Sequence, residues 1–312
     1  MNLSDFFDSD LLTSTIRVAT PVLLAALGGL LTMRAGIYNI ALEGQMISGS
    51  FAAIAVTAWT GNLYLGILGG ILAGTLTSAL LALAVLKFNA NDIVASIAIN
   101  LLAVGLTGFL LQTIFDVRGT YRPEGMHGLP AIDIPWVENI PIIGPAISGQ
   151  TLLVYVALGL VAFTHVLLYR TPLGLAIRAV GEKPDAARTA GVSPILVRAT
   201  AVLYSGVLCG LAGAHLSLGY ASEFTVGMTA GRGFTGFSAA IFGQLQPWGT
   251  LAASLVFGLA EALGLRMQLS DLALPPDIVE MVPYVLAIVA ISITCAIRMW
   301  RLGSTRRREV PE

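Results

Sequence analysis

Charge is the scarcest thing in this 312-residue chain: Asp, Glu, Lys and Arg together make 11% of it, and only two residues are lysine, Lys87 and Lys183. Lys87 follows Leu86 and Lys183 follows Glu182, so no Gly-Lys pair exists to build a phosphate-cradling loop. The three histidines, His127, His165 and His215, are scattered, which excludes a His-Glu-x-x-His zinc helix. There is no Gly-x-Ser-Gly run for a nucleophile and no clustered acidic pair for magnesium and diphosphate. Catalysis by this chain is therefore not expected, and a formal net charge of -1 gives nucleic acid nothing to meet. Cysteine is equally rare: Cys209 and Cys295 both lie in apolar runs and read as small packing residues, not a disulfide. The first ten residues are acidic where a signal peptide is basic, so the first apolar run is expected to be retained.

What is abundant is apolar surface. Hydrophobic residues make 56% of the chain and mean hydropathy is +0.82. Windows of about 20 uncharged residues recur, the length that crosses a hydrocarbon core of about 30 Å. The pattern predicts an all-α polytopic membrane protein of about nine spans, forming one transmembrane domain over 1–312. They run near 12–33, 39–58, 62–86, 92–115, 150–169, 195–219, 233–246, 249–267 and 278–299, the seventh short enough to be partly re-entrant. Arg34, Lys87, Arg170, Arg178, Lys183, Arg188, Arg198, Arg298, Arg301, Arg306, Arg307 and Arg308 then share one side, which the positive-inside bias makes cytoplasmic. The N-terminus is expected outside and the C-terminus inside, with 301–312 a cytoplasmic basic tail at anionic lipid.

Polar residues inside these spans are few and placed. Asn39 and Glu43 stand one turn apart near the start of the second span. A carboxylate at that depth faces the bundle interior as a functional group, accepts backbone N–H bonds, or pairs with Arg34. Asp92, Ser96 and Asn100 recur every four residues and give the fourth span a polar stripe, which lines a solute path or bonds between helices. Gly66, Gly70 and Gly74 form a small-residue face for close helix packing. The 116–150 loop, rich in proline, is too irregular for lipid and offers the largest outward surface as a landing site for a partner. Gly227, Gly231 and Gly233 lead into the short seventh helix, whose N-terminal dipole aims into the protein. Phe234 and Phe237 follow, as core or as a stacking surface for an aromatic solute. Glu261 is a second buried carboxylate, with Arg266 as the candidate partner.

Between the fifth and sixth spans, residues 170–194 interrupt the apolar pattern. Leu173, Ile177 and Val180 fall on one side of a short helix with Arg178 turned away; Gly181 ends it, Pro184 starts a second, and Gly191 stops that. Such an amphipathic piece either seats in a groove of a cytosolic partner or is a solvated loop that only orients the chain.

Four ordered stretches carry a family resemblance. They are Arg34-Ala-Gly-Ile-Tyr-Asn-Ile-Ala-Leu-Glu-Gly-Gln-Met, Asn91-Asp-Ile-Val-Ala-Ser-Ile-Ala-Ile-Asn-Leu-Leu, Arg178-Ala-Val-Gly-Glu-Lys-Pro-Asp-Ala-Ala and Gly227-Met-Thr-Ala-Gly-Arg-Gly-Phe through Ile241-Phe-Gly. From about Pro21 to Leu265 the chain resembles permease subunits of nucleoside and simple-sugar ABC importers, grouped with ribose and branched-chain amino acid permeases. That resemblance implies a multi-pass protein of the bacterial inner membrane, paired with a second permease that is a paralogue or an identical copy. It also implies cytosolic ATPases that bind ATP and magnesium, no cofactor on this chain, and an extracytoplasmic lipoprotein that captures solute. Pro172 to Ala190 becomes the coupling helix, with Leu173, Ile177, Arg178 and Glu182 expected to meet the ATPase. Asn39, Glu43, Asn100, Phe234 and Phe237 are the candidates for the solute path. Relatives carry Asn where Lys183 stands, a departure confined to that side chain, and an aliphatic run where this chain has Thr235-Gly-Phe-Ser, which bears on the solute. The Asn39-Ile-Ala-Leu-Glu-Gly-Gln-Met form resembles nucleoside carriers, so a nucleoside or related small polar solute is expected ahead of a simple sugar or branched-chain amino acid. An ion-gradient carrier using Glu43 and Glu261 is the alternative of a different class.

Overall fold

The computed structural model describes residues 9–123, 125, 126, 128–134, 147–269 and 285. In chain order the helices are α1 (Ser9–Arg34), α2 (Leu42–Thr60), α3 (Leu63–Ala82, running on through a π turn at Leu83–Lys87), α4 (Asp92–Phe115) and α5 (Leu152–Arg170). Two short pieces follow, α6 (Pro172–Glu182) and α7 (Pro184–Thr189). Then come α8 (Pro194–Ala214, extended by a π segment at His215–Tyr220), α9 (Arg232–Phe242) and α10 (Pro247–Leu269).

Local chemistry sets these boundaries. The side chains of Asn62 and Asn91 cap α3 and α4 by accepting from the first free N–H groups, and Gly61 closes α2 at φ +66°. Thr171 caps α6 ahead of Pro172, and prolines also open α7, α8 and α10. Among the described residues six helices, α1, α3, α4, α5, α8 and α10, are long and apolar enough to cross a membrane. Helix α2 has the length but carries Glu43, Gln45, Ser50 and Thr57 inside it. It tolerates them because α3, α4 and α8 pack around it, so it meets protein where its neighbours meet lipid. The outer faces of α3 and α4 expose Leu68, Leu72, Leu76, Leu101 and Phe109.

The seventh span is short, as its sequence suggests. Helix α9 has 11 residues, about 16 Å, half the thickness of a hydrocarbon core. The expected 278–299 span and the 301–312 tail lie outside the described residues. So does most of the proline-rich part of the 116–150 loop. The described ends of that loop are tied down by two antiparallel bridges, Thr120–Tyr121 with Phe224–Thr225 and Ala131–Ile132 with Gln150–Thr151. Phe115 stacks on Tyr121 at 4.1 Å, and Phe51 meets Phe224 edge-on at 5.3 Å beside them.

Small residues bring α3 and α8 into backbone contact. A Cβ on Gly74 would lie 2.5 Å from the Gly206 carbonyl oxygen, and one on Gly210 would lie 2.5 Å from that of Gly70. Because backbone on the far side cannot yield as a flexible side chain does, Gly74→Val is expected to cost at least about 1–3 kcal/mol by overpacking. A drop in the thermal unfolding temperature of the detergent-purified chain measures it, with Gly159→Val, where no atom lies within 4 Å, as the control.

Candidate functional site

The site begins with a failure of helix. After α1 the helix is not continued through residues 35–41: the chain closes α1 with bonds from Ala35, Gly36 and Ile37 N–H to its last turn and turns at Gly36 with φ +80°. Backbone groups freed at membrane depth must find partners. The polar stripe of α4 supplies them: Asp92 Oδ2 accepts from the Tyr38 N–H at 2.8 Å, Ser96 Oγ from Ile40 at 3.2 Å, and Asn100 Oδ1 from Gly44 at 2.8 Å. Asn100 Nδ2 also donates to the Ile40 carbonyl. Of the two roles open to the stripe, bonding between helices is the one its geometry displays. Asn39 behaves alike, accepting from Ala41 N–H and donating to Ser205 Oγ on α8 at 2.9 Å.

Glu43 is engaged by α9. Its Oε1 accepts from the Gly231 N–H at 2.8 Å and its Oε2 from the Gly233 N–H at 2.7 Å. The carboxylate thus occupies the positive end of the half-helix, where free N–H groups and the helix dipole favour negative charge. The approach requires glycine: a Cβ on Gly233 would sit 2.4 Å from the Glu43 nitrogen. Of the three readings of Glu43, the backbone-accepting one matches this geometry.

Arg34 goes elsewhere than to Glu43. Its Nε donates to the Leu245 carbonyl at 2.9 Å and its Nη2 to that of Gln244 at 3.5 Å, just beyond the C-terminus of α9. Gln244 and Leu245 both hold positive φ, +55° and +53°, without glycine, a conformation that L-residues adopt at a cost. Their N–H groups close the helix end on Ile241 and Ala240. One strap, 34–43, therefore grips α9 at both ends, each with the charge that the local dipole favours. Arg232, at the first position of α9, pairs with Glu261 on α10, so the sequence expectation that Arg266 answers Glu261 is replaced by a partner 29 residues away. On α9, Phe234 is 46% exposed and Phe237 half-buried.

On the opposite flank of the strap, α6 folds back on the body. Ile177 is 2% exposed and Val180 is buried, whereas Leu173 and Leu175 stay open, Leu175 at 61%. Ile177 therefore holds α6 to its own chain and does not project toward a partner, because the buried face of this amphipathic piece is spent on α5 and α8. Arg178 lies over the Tyr169 ring at 5.2 Å and Glu182 is exposed. Gly181 rests directly on the strap, since a Cβ there would come 2.0 Å from the Arg34 carbonyl oxygen. Ser205 and Gln45, both fully buried beside Asn39, give no sign in the sequence: their roles depend on helix pairings far apart in the chain.

The family described as branched-chain amino acid transport system, permease component, matches residues 11–291. The chain belongs to that family. It is a permease subunit of an ABC importer. A putative glucose ABC transporter permease of Haloferax volcanii is 37% identical over 87% of this permease and 82% of its own length. The guanosine permease NupQ of Bacillus subtilis is 34% identical over 91% of both chains. A second guanosine permease of that bacterium, NupP, is 28% identical over 86% of this chain and 77% of its own. In fold, the permease resembles a metal-chelate type ABC transporter in an inward-facing conformation, with TM-score 0.51, 17% identity, and 90% and 84% of the two chains covered.

Glu43→Gln replaces one acceptor oxygen by an amide nitrogen facing an N–H donor. The expected loss is about 1.5–3 kcal/mol, the worth of a hydrogen bond to a charged group. Ser238→Ala, on the half-exposed side of the same helix, should change stability by less than about 0.5 kcal/mol. Urea or thermal unfolding of both variants tests the contrast.

Proposed function

We propose that this permease forms the path for a neutral nucleoside, moved by ATP hydrolysis on separate cassette subunits that seat beneath α6 and α7. The observation that carries the mechanism is the state of α6: rooted in the body by Ile177 and Val180, it presents Leu173, Leu175 and Glu182 outward on a rigid support. ATP and magnesium belong to the partner. A binding lipoprotein delivers solute to the outward surface near the 116–150 loop. The N-terminus lies outside and the C-terminus in the cytoplasm of a bacterial plasma membrane, with nine spans counted to the end of the chain and α9 as the half-span. Two guanosine permeases from one organism, one resembling this chain more than the other, favour a paralogue over an identical copy as the second half.

Solute chemistry follows from what the charges near α9 are doing. Glu43 is held by two N–H donors, Arg34 by two carbonyls, and Arg232 and Glu261 by each other. A path beside α9 faced by Phe234 and Phe237 offers aromatic rings without a free charge, with Asn39, Glu43 and Asn100 behind it holding the strap in place. That suits an uncharged ring solute over an amino acid zwitterion. The same engagement weighs against an ion-gradient carrier, which needs a carboxylate at liberty to bind its ion.

Two outcomes test this reading. In proteoliposomes holding the whole transporter, guanosine or uridine uptake should require ATP on the cytoplasmic side; accumulation by this chain alone under an ion gradient overturns it. Leu175→Asp should abolish stimulation of ATP hydrolysis while the chain stays folded, whereas Ile177→Asp should unfold it, since it buries an unpaired carboxylate.

A further inference from the structure

Three elements meet at the turn that follows α1. Gly181 of α6 lies against the Arg34 carbonyl, Arg198 Nε of α8 donates to the Ala35 carbonyl at 3.1 Å, and the Arg34 guanidinium reaches past α9 to Leu245 and Gln244. The turn is thus pinched between the helix that faces the ATPase and the helix that borders the solute path. We infer that Arg34 is a positioning residue that transmits displacement of α6 to α9, making the half-helix the moving part of the permease. This rests on the proposed function and adds the route by which a cytoplasmic push reaches the middle of the membrane.

Geometry supports a rigid route at each step. The α6 contact is backbone on backbone, with no side chain between to absorb a shift: besides the 2.0 Å approach to the Arg34 oxygen, a Cβ on Gly181 would lie 2.9 Å from the Arg34 carbonyl carbon. Arg34 is the last residue of α1 and carries both contacts, its carbonyl against α6 and its guanidinium on the turn after α9. The guanidinium holds a turn whose two positive-φ residues, Gln244 and Leu245, lack glycine, so the turn has few other conformations in which to follow a push by itself. At the far end of α9, Glu43 returns the load to α2 through the Gly231 and Gly233 N–H groups. Helix α9 is therefore held at both ends by one strap, and a shift of the strap carries the whole helix, by discrete repacking and not by bending.

The test uses the complete transporter with its ATPase subunits, reconstituted and assayed for hydrolysis and uptake. Arg34→Ala should keep solute-stimulated hydrolysis within about twofold of the unmodified complex while uptake falls at least about tenfold. Arg34→Lys, which restores one donor and the charge, should recover much of the uptake. Gly181→Ala, which forces α6 off the strap, should uncouple in the same way, and carries the test if Arg34→Ala fails to assemble. A Ser238→Cys reporter on α9 should change its thiol-labelling rate at least about threefold between nucleotide-free and ATP-vanadate states, and lose that response in the Arg34→Ala background. Parallel loss of hydrolysis and uptake, unimpaired uptake, or a labelling response that survives Arg34→Ala each overturns the inference. An unmodified complex without ATP-dependent uptake refutes instead the transport reading, before any variant is made.

Discussion

A carboxylate buried at 8% exposure in a membrane protein is tolerable only where something answers it, and Glu43 is answered by the N-terminus of α9. The bond works in both directions. The half-helix begins with N–H groups that have no partner within the helix, and Glu43 satisfies two of them with a full charge. The surrounding features follow from this pairing: a break in the chain to bring Glu43 to the right depth, glycines at 231 and 233 to admit it, and a polar stripe on α4 to support the break.

The distribution of polar groups follows the same rule across the bundle. Asn39, Ser96, Asn100 and Asp92 each bond backbone or another buried side chain around the strap. None is spread along the lipid-facing sides of α3 and α4, where leucine predominates. Apolar burial drives little association between helices in lipid, since the tails are as apolar as the side chains. Packing through Gly70, Gly74, Gly206 and Gly210 and hydrogen bonding around the strap take over that role, and they meet on α8, where Ser205 bonds Asn39 and the next residue, Gly206, lies against Gly74.

Span positions are legible from composition because helices facing lipid must be continuously apolar; α4 begins and ends where the pattern puts it, at Asp92 and Phe115. The half-helix is legible too, from three glycines ahead of a run too short to cross. The pairing of its N-terminus with Glu43 is only one of three options in the sequence, which gives the need of a buried carboxylate and not its supplier. For Arg34 and Glu261, proximity along the chain suggests the wrong partners, and in both cases the real one lies far away in sequence, 211 and 29 residues distant. Ile177 shows a different limit. Periodicity finds the apolar face of α6 but cannot say whether that face looks toward the chain's own body or toward a partner, and here it looks inward.

The electrostatics of the strap bear on which parts of the bundle are free to move. Pulling Glu43 off α9 would leave a buried carboxylate and two N–H groups without partners, and charge-assisted bonds of this kind are worth about 1.5–3 kcal/mol each. Sliding one glycine face over another exposes no polar group, and costs only dispersion attraction, about 0.1–0.2 kcal/mol for each atom pair drawn apart. The cheaper motion is therefore the one that keeps the strap and α9 together as a unit. Relative displacement falls instead on surfaces such as the glycine faces of α3 and α8, where Gly74 meets Gly206 and Gly70 meets Gly210 backbone on backbone. A permease that must open to either side without wetting its own backbone has this division of labour available: bonds where it must hold, glycine where it must slip.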